Sequence, residues 1–500
     1  MLRATMRETL FHLERSQPAT LQAQIREVLT GAIAAGRLKP GEPVPSTRAM
    51  AGQLGVSRNT VTLAYQALVA EGFLTARERS GYFVDAQAVD GMSIGPQPIA
   101  RSEAQGAPGA TGIDWRQRLV EHCDDQRLVF RPADWQRHPF PFVYGQVDAQ
   151  VFPIAEWRDC VRQAMGRRWL DAWTLDRYSE DDPLLTEEIA RRILPRRGIS
   201  AAPAQVLVTL GAQNALYLIA ALLVGRTTPV AMEEPGYPDL RLMLARRTAA
   251  LRQVPVDHDG VVPGEALDGA SLLFCTPSHH YPTTVTMSLE RRRALLDRAR
   301  RQNIVIVEDD YEFEANYIGA PLPALKSLDE DGRVIYVGSF SKSLMPGLRL
   351  GFIAADEALI AELRALRRLM LRHPPGNNQR AAALFLANGH FDVLVRRIHR
   401  TYRERWQVMA EALAAHLPGW ALNPGFGGSS YWLTGAEGLD AAALARRALA
   451  RGVVIEPGEP FFAGPGAGRR NFRLGFSSIE ASRIPEGIAR LAAAVSAPAD

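Results

Sequence analysis

The chain has 500 residues, 47% of them hydrophobic and 22% charged, with a formal net charge of +4. That length is expected to fold as two or more domains, and the charge is too small to argue a nucleic-acid partner by itself. Three scattered cysteines (Cys123, Cys160 and Cys275) exclude a disulfide framework and point to a reduced, cytoplasmic protein, the charged N-terminal stretch is not patterned as a signal peptide, and the longest apolar run, "ALYLIAALLV", is roughly half a membrane span.

Residues 10–84 are compactly patterned. "LQAQIREVLTGAIAAGRL" puts Leu21, Ile25, Val28, Leu29 and Ile33 on one helical face. "KPGEPVPS" breaks that helix. Ser46 then caps a helix ending at Gly55, and Ser57 caps another ending at Gly72. "FLTARERSGYFV" reads as two short strands around a basic turn, with Arg77 and Arg79 beside Gly81. Helix, glycine-ended turn, Ser-capped helix and basic hairpin in this order make a winged helix-turn-helix. Its recognition helix would meet DNA through its N-terminal end, Ser57-Arg58-Asn59-Thr60. Arg58 can fork onto a guanine or a phosphate, Ser57 and Thr60 can donate to phosphate, and Arg48 is placed for a backbone contact. A small helical dimerisation module with a basic face is the alternative.

Residues 85–112, "DAQAVDGMSIGPQPIARSEAQGAPGATG", lack apolar periodicity and read as a flexible linker. From 113 to 500, β-rich runs ("QVLVTLG", "PVAMEE", "SLLFCTPS", "NIVIVEDD", "RVIYVGS") alternate with amphipathic stretches such as "LERRRALLDRARRQ". This predicts an α/β fold with a largely parallel sheet, its ligand chemistry at the carboxyl ends of the strands. From about 375 a long basic amphipathic helix followed by short strands predicts a smaller α+β subdomain.

Four constellations occupy those strand ends. Gly211-Ala212-Gln213 opens a helix whose free amides can cradle a phosphate. Tyr237, in "EEPGYP", can stack on an aromatic ring. Glu308-Asp309-Asp310-Tyr311 places acids after a buried strand, where a cation must meet them. A protonated pyridine nitrogen is such a cation, and pairing it makes pyridoxal phosphate an electron sink; a metal site or a solvated loop is the alternative. In "GSFSKSLMPG", Lys342 can form a Schiff base with an aldehyde, Ser339 and Ser341 can donate to a phosphate, and Arg349 can neutralise it.

"GRLKPGEPVPSTRAMAGQLGVSRNTVTLAYQALVAEGFL…SGYFV" resembles a GntR-type winged helix-turn-helix, with Val44 where leucine is usual. That resemblance implies DNA contacts at Arg48, Arg58, Thr60 and Gly81. Residues 140 to 495 resemble the fold-type I, class I/II aminotransferases, most closely in "SFSKSLMPGLRLG". This implies Lys342 as the Schiff-base lysine, Asp309 beside the pyridine nitrogen with Asp310 as fallback, and Tyr311 at the ring hydroxyl. It also implies phosphate contacts from Ala212, Gln213, Ser339, Ser341 and Arg349, Tyr237 as the stacking ring, and Arg473 as receiver of an effector carboxylate. Tyr178 matches a tyrosine that reaches the partner subunit's phosphate, which implies a homodimer. Tyr281 and Thr284 replace the usual asparagine and glycine of an "NPTG" segment, and Pro183 a usual glycine; these departures bear on amino-acid turnover.

The two halves in this order, with "TPSHHYPTTVTM", "EDDYEFE" and "RHPPGNNQR", resemble the MocR/GabR family of bacterial regulators. The resemblance implies a cytoplasmic homodimer that binds double-stranded operator DNA on paired half-sites. It senses a small amine or amino-acid effector by aldimine exchange at Lys342, without sustained turnover, metal or membrane. A working class I/II aminotransferase with an appended DNA-binding head is the alternative.

Overall fold

The structure is a computed structural model that describes residues 13, 19–77, 80–86, 113–121, 129, 131–319, 321–421 and 427–497. Arg79 and most of the 85–112 stretch lie outside the described residues. The chain divides into two compact units, Met1–His122 and Cys123–Asp500.

In the first unit, helices α1 (Leu21–Ala34), α2 (Thr47–Leu54) and α3 (Arg58–Ala70) precede a hairpin of β1 (Leu74–Arg77) and β2 (Gly81–Val84). The helix starts follow the side chains named above. The Ser46 hydroxyl accepts from the Ala49 amide and the Ser57 hydroxyl from the Thr60 amide, each satisfying a donor the helix leaves free. Ile25, Leu29 and Ile33 of α1 pack with Met50, Val61, Tyr65, Leu68, Leu74 and Val84 into one core. Leu21 and Val28 are only half-buried, and the covered face of α1 is completed by Gln24 and Ala32. The buried Tyr65 hydroxyl donates to the Pro45 carbonyl at 2.9 Å, tying α3 to the turn before α2.

The second unit is built on an eight-stranded sheet. In chain order its strands are β3 (Val206–Thr209), β4 (Val230–Glu234), β5 (Leu251–Asp257), β6 (Gly260–Val261), β7 (Leu272–Cys275), β8 (Val305–Asp310), β9 (Val334–Ser339) and β10 (Gly351–Ala354). Their spatial order is β3-β10-β9-β8-β7-β4-β5-β6. Pairing is parallel from β9 through β8, β7 and β4 to β5, while β10 runs antiparallel to both β9 and β3. The central runs "LLFC" and "VIYVGS" are buried at every residue, as strands covered on both faces must be. Helices α4 (Ala212–Leu223) and α5 (Leu289–Gln302) belong to these layers, their apolar faces in separate cores.

Beyond residue 375 the chain forms α6 (Gly376–Ala387), the long α7 (His390–His416) and an antiparallel sheet ordered β11 (Ser430–Thr434), β13 (Asn471–Gly475), β12 (Glu456–Pro457). Phe140–Pro141 also pairs with Val453–Val454, so the start of the unit is stitched to its end. Among the described residues no helix is long and apolar enough to cross a membrane.

Candidate functional site

The carboxyl ends of β3, β4, β7, β8 and β9 open on one cavity of about 260 Å³. Eleven residues singled out in the sequence line it: Ala212, Gln213, Tyr237, Tyr281, Asp309, Tyr311, Ser339, Ser341, Lys342, Arg349 and Arg473. Tyr178 does not. It is 60% exposed on a loop with φ of 63°, and the Arg372 guanidinium lies 5.2 Å from its ring.

Lys342 follows β9 in a turn that reverses the chain into the antiparallel β10. Its amine lies 4.4 Å from the centre of the Tyr144 ring. Gly145, with φ of +80°, makes room for it, since a Cβ there would stand 2.4 Å from Nζ. Burial lowers the Lys342 amine to about 8, against the pull of Glu312. A more easily deprotonated amine is a better nucleophile at neutral pH.

The three acids of β8 have separate partners. Glu308 accepts from the amides of Leu325 and Lys326 at 2.8 and 2.9 Å. Asp310 accepts from Arg197 Nε at 2.7 Å and the Tyr336 hydroxyl at 2.9 Å. Burial raises its carboxyl, but Arg197 and neighbouring hydroxyls overcome that and hold it low. Asp309 faces the cavity, and its Oδ1 is buried without a hydrogen-bond partner among the described residues. Burial, helped by Asp310, raises Asp309 to about 7, with Lys342 opposing. An orphaned acid of this kind calls for a cation, and the ring nitrogen of pyridoxal phosphate fits it. Among the described residues no group of three or more His, Cys, Asp or Glu side chains is arranged to hold a metal ion.

At the opposite side the α4 amides begin at Ala212, after Gly211 (φ +82°), where a Cβ would come within 3.1 Å of the Arg349 guanidinium. Arg349 Nη2 donates to the Leu210 carbonyl at 3.0 Å, holding its charge over this helix start. The Ser339 hydroxyl accepts from the Ser341 amide, leaving its proton for another acceptor. Asp239 accepts from both Gln213 Nε2 and the Tyr237 hydroxyl, at 3.2 and 3.0 Å, and so fixes the Tyr237 ring beside the start of α4. Amides, hydroxyls and an arginine in one place are the donor set of a phosphate site.

Arg473 comes from β13, buried amid Tyr144, Tyr281 and Phe461 at 3.9, 4.6 and 4.8 Å from the ring centres. Its Nη2 donates to the Tyr281 hydroxyl at 3.1 Å. Thr284 sits at φ of 63°, a backbone shape that suits the glycine it replaces. The cavity also takes in residues that sequence reasoning passed over: Arg131, Tyr144, Gly145 and Glu456. Glu312, beside it, accepts from the Tyr144 hydroxyl at 3.3 Å. Only Glu312 carried a signal, as one more acid in "EDDYEFE".

On the first unit, Ser57, Arg58 and Asn59 are exposed at the start of α3 and Thr60 is half-buried. Arg58 Nε reaches the Thr47 hydroxyl at 3.4 Å, so the helix starts of α2 and α3 share one polar edge. Arg48 is exposed on α2, Arg77 lies 4.4 Å from the Phe83 ring centre, and Gly81 opens β2 at φ of +103°.

Residues 21–84 match the family of bacterial regulatory proteins of gntR type, and residues 154–491 match aminotransferase class I and II. The HTH-type transcriptional regulator TauR of Rhodobacter capsulatus is 48% identical over 97% of this chain and 98% of its own. The probable rhizopine catabolism regulatory protein MocR of Rhizobium meliloti is 33% identical over 96% and 95%. Among solved structures, a kynurenine aminotransferase of Pyrococcus horikoshii in complex with PMP aligns with a TM-score of 0.67 at 27% identity, over 73% of this chain and 95% of that one. The α-aminoadipate aminotransferase LysN of Thermus thermophilus, complexed with N-(5'-phosphopyridoxyl)-L-leucine, aligns at 0.65 and 30% identity, over 71% and 91%.

Proposed function

Because the chain belongs to the family of transcriptional regulators that join a GntR-type winged head to a class I and II aminotransferase domain, we propose that it is a pyridoxal-phosphate-dependent, MocR-type regulator that answers an amine. The observation that carries this reading is the pairing, in one cavity, of the Lys342 amine with the orphaned Asp309 carboxyl. When bound, pyridoxal phosphate supplies an aldehyde able to condense reversibly with an amine. Lys342 would hold that aldehyde through its amine, at the place an effector amine would compete for. Asp309 would hold the ring nitrogen's proton, Tyr311 would meet the ring hydroxyl, and Tyr237 would cover the ring. The α4 amides with Ser339, Ser341 and Arg349 hold the phosphate. Arg473, on the same cavity, is the residue that the resemblance assigns to an acid group on the effector.

Glu312 and Lys342 both lie against Tyr144, so the Glu312 carboxyl would be placed to pair with the lysine when its amine is free and protonated. The effector shifts the protein between forms of different operator affinity only to the extent that it binds them differently. Ser57, Arg58 and Thr60, with Arg48 and the Gly81 wing, meet the DNA. The working form is a cytoplasmic homodimer on two half-sites, with Tyr178 turned to the partner.

The test is to load the purified chain with pyridoxal phosphate and screen amines for a shift of the cofactor's absorbance band. Binding to the DNA upstream of its own gene is then measured with each hit. An amine that shifts the band and changes DNA affinity, both lost in Lys342→Ala, supports the reading. A DNA response that survives Lys342→Ala overturns it. Steady transamination of an amino acid with a 2-oxo acid would favour the aminotransferase alternative.

A further inference from the structure

Arg473 is already engaged by a carboxylate of the protein itself. Glu456 on β12 lies directly across from Arg473 on β13 in the antiparallel register. Both Nε and Nη2 of Arg473 stand 2.9 Å from Glu456 Oε2, so one edge of the guanidinium is closed. Nη2 also donates to the Tyr281 hydroxyl at 3.1 Å, which half-closes the second edge. Among the described residues only Nη1 has no hydrogen-bond partner. The other oxygen of Glu456, Oε1, accepts from Arg131 Nη2 at 3.1 Å. Arg131 stands at the mouth of the cavity with a third of its side chain exposed, whereas Arg473 and Glu456 are buried.

A free carboxylate binds arginine best through two parallel hydrogen bonds on one edge. Glu456 occupies that position from within and cancels the charge that would draw an acid to the floor. Two arginines against one carboxylate leave one net positive charge, and the arginine open to solvent is the one at the mouth. The rings of Tyr144, Tyr281 and Phe461 wall in Arg473 and keep it from swinging to a new partner.

We propose that Glu456, with Tyr281 as its second, is a specificity-determining residue: a built-in competitor that masks Arg473 and discriminates against amines bearing a carboxylate on the amine-bearing carbon. Amines with no acid, or with one carried out to Arg131, are the class that passes. What the pocket serves rests on the amine-sensing reading, but the masking of Arg473 does not.

The test uses the cofactor-loaded full chain and three probes: propionate, propylamine and L-alanine. Binding is read by titration calorimetry and, for the amines, by the cofactor's absorbance. In Glu456→Gln, propionate is expected to bind at least about tenfold more tightly, and the L-alanine to propylamine affinity ratio to rise by about the same factor, the scale of one freed charge-assisted contact. Tyr281→Phe, which leaves the ion pair intact, is expected to move both in the same direction by about threefold, and it carries the test if Glu456→Gln does not fold. Propionate binding and the L-alanine ratio unchanged or lowered in these variants would overturn the proposal. A wild-type chain whose absorbance answers no amine counts against amine sensing, while the propionate arm still decides the masking.

Discussion

Asp309→Asn is expected to stabilise the cofactor-free protein at alkaline pH. The folded site holds the Asp309 proton up to about pH 7, from an ordinary value of 3.8, because the carboxyl is buried beside Asp310. The sign follows from linkage. Between those two values the unfolded chain has released a proton that the folded chain keeps, so stability falls as pH rises through the window and stays low above it. Three pH units at about 1.4 kcal/mol each set a ceiling of roughly 4 kcal/mol. The cavity is open to solvent at its mouth, which relieves part of the burial, so about 1–2 kcal/mol is expected. Asparagine keeps the shape and has no charge to bury. Urea unfolding of the cofactor-free wild type and variant at pH 5 and pH 8 measures it: the variant's advantage should be larger at pH 8 by about 1 kcal/mol. Saturating pyridoxal phosphate should reverse the order, since only the wild type then pairs its acid with a cation. An advantage independent of pH, or one that shrinks from pH 5 to pH 8, refutes the reasoning.

The neighbouring acid should behave oppositely. Asp310→Asn leaves Arg197 buried without its charge partner, and urea unfolding should show a loss of about 3 kcal/mol. Gly145→Ala forces a side chain onto a backbone at φ of +80° at a cost of roughly 1–2 kcal/mol and drives a methyl into the Lys342 amine. Its circular dichroism should be preserved while cofactor absorbance at saturating pyridoxal phosphate falls several-fold. Arg58→Ala, on an exposed helix start, should leave the melting temperature unchanged, weaken operator binding by about tenfold and reduce the salt slope of that binding by about 1.

Most of the frame was legible in the sequence because it depends on short-range rules. The caps at Ser46 and Ser57 are set by a side chain reaching an amide three residues on, and both form as the pattern implies. The strands "VLVT", "LLFC" and "VIYVGS" were visible as apolar runs because a parallel sheet is covered on both faces. The covered face of α1 was read less well. Gln24 is buried there in place of a hydrophobic residue, its amide donating to the Ala19 carbonyl at 3.0 Å, and a hydrophobicity pattern cannot anticipate a polar side chain that is satisfied locally. The pairing of Phe140–Pro141 with Val453–Val454 joins residues more than three hundred positions apart, and two-residue strands leave no periodicity to read.

The acids of β8 show how one geometric rule separates residues that composition cannot. Successive side chains of a strand point to opposite faces. Glu308 and Asp310 therefore share a face, and there they meet amides, Arg197 and Arg292. Asp309 falls on the other face, toward Lys342, so the choice between Asp309 and Asp310 left open by the sequence reduces to which face carries the cavity. No such rule reaches Glu456. Its pairing with Arg473 depends on a cross-strand register set by the chain between them, and the intervening "PGEPFFAGPGAGRRNF" carries no alternation that would fix it. The residues proposed to hold a cofactor thus lie in motifs that the sequence displays. The residue proposed to decide which amine is accepted could be found only once two strands were laid side by side.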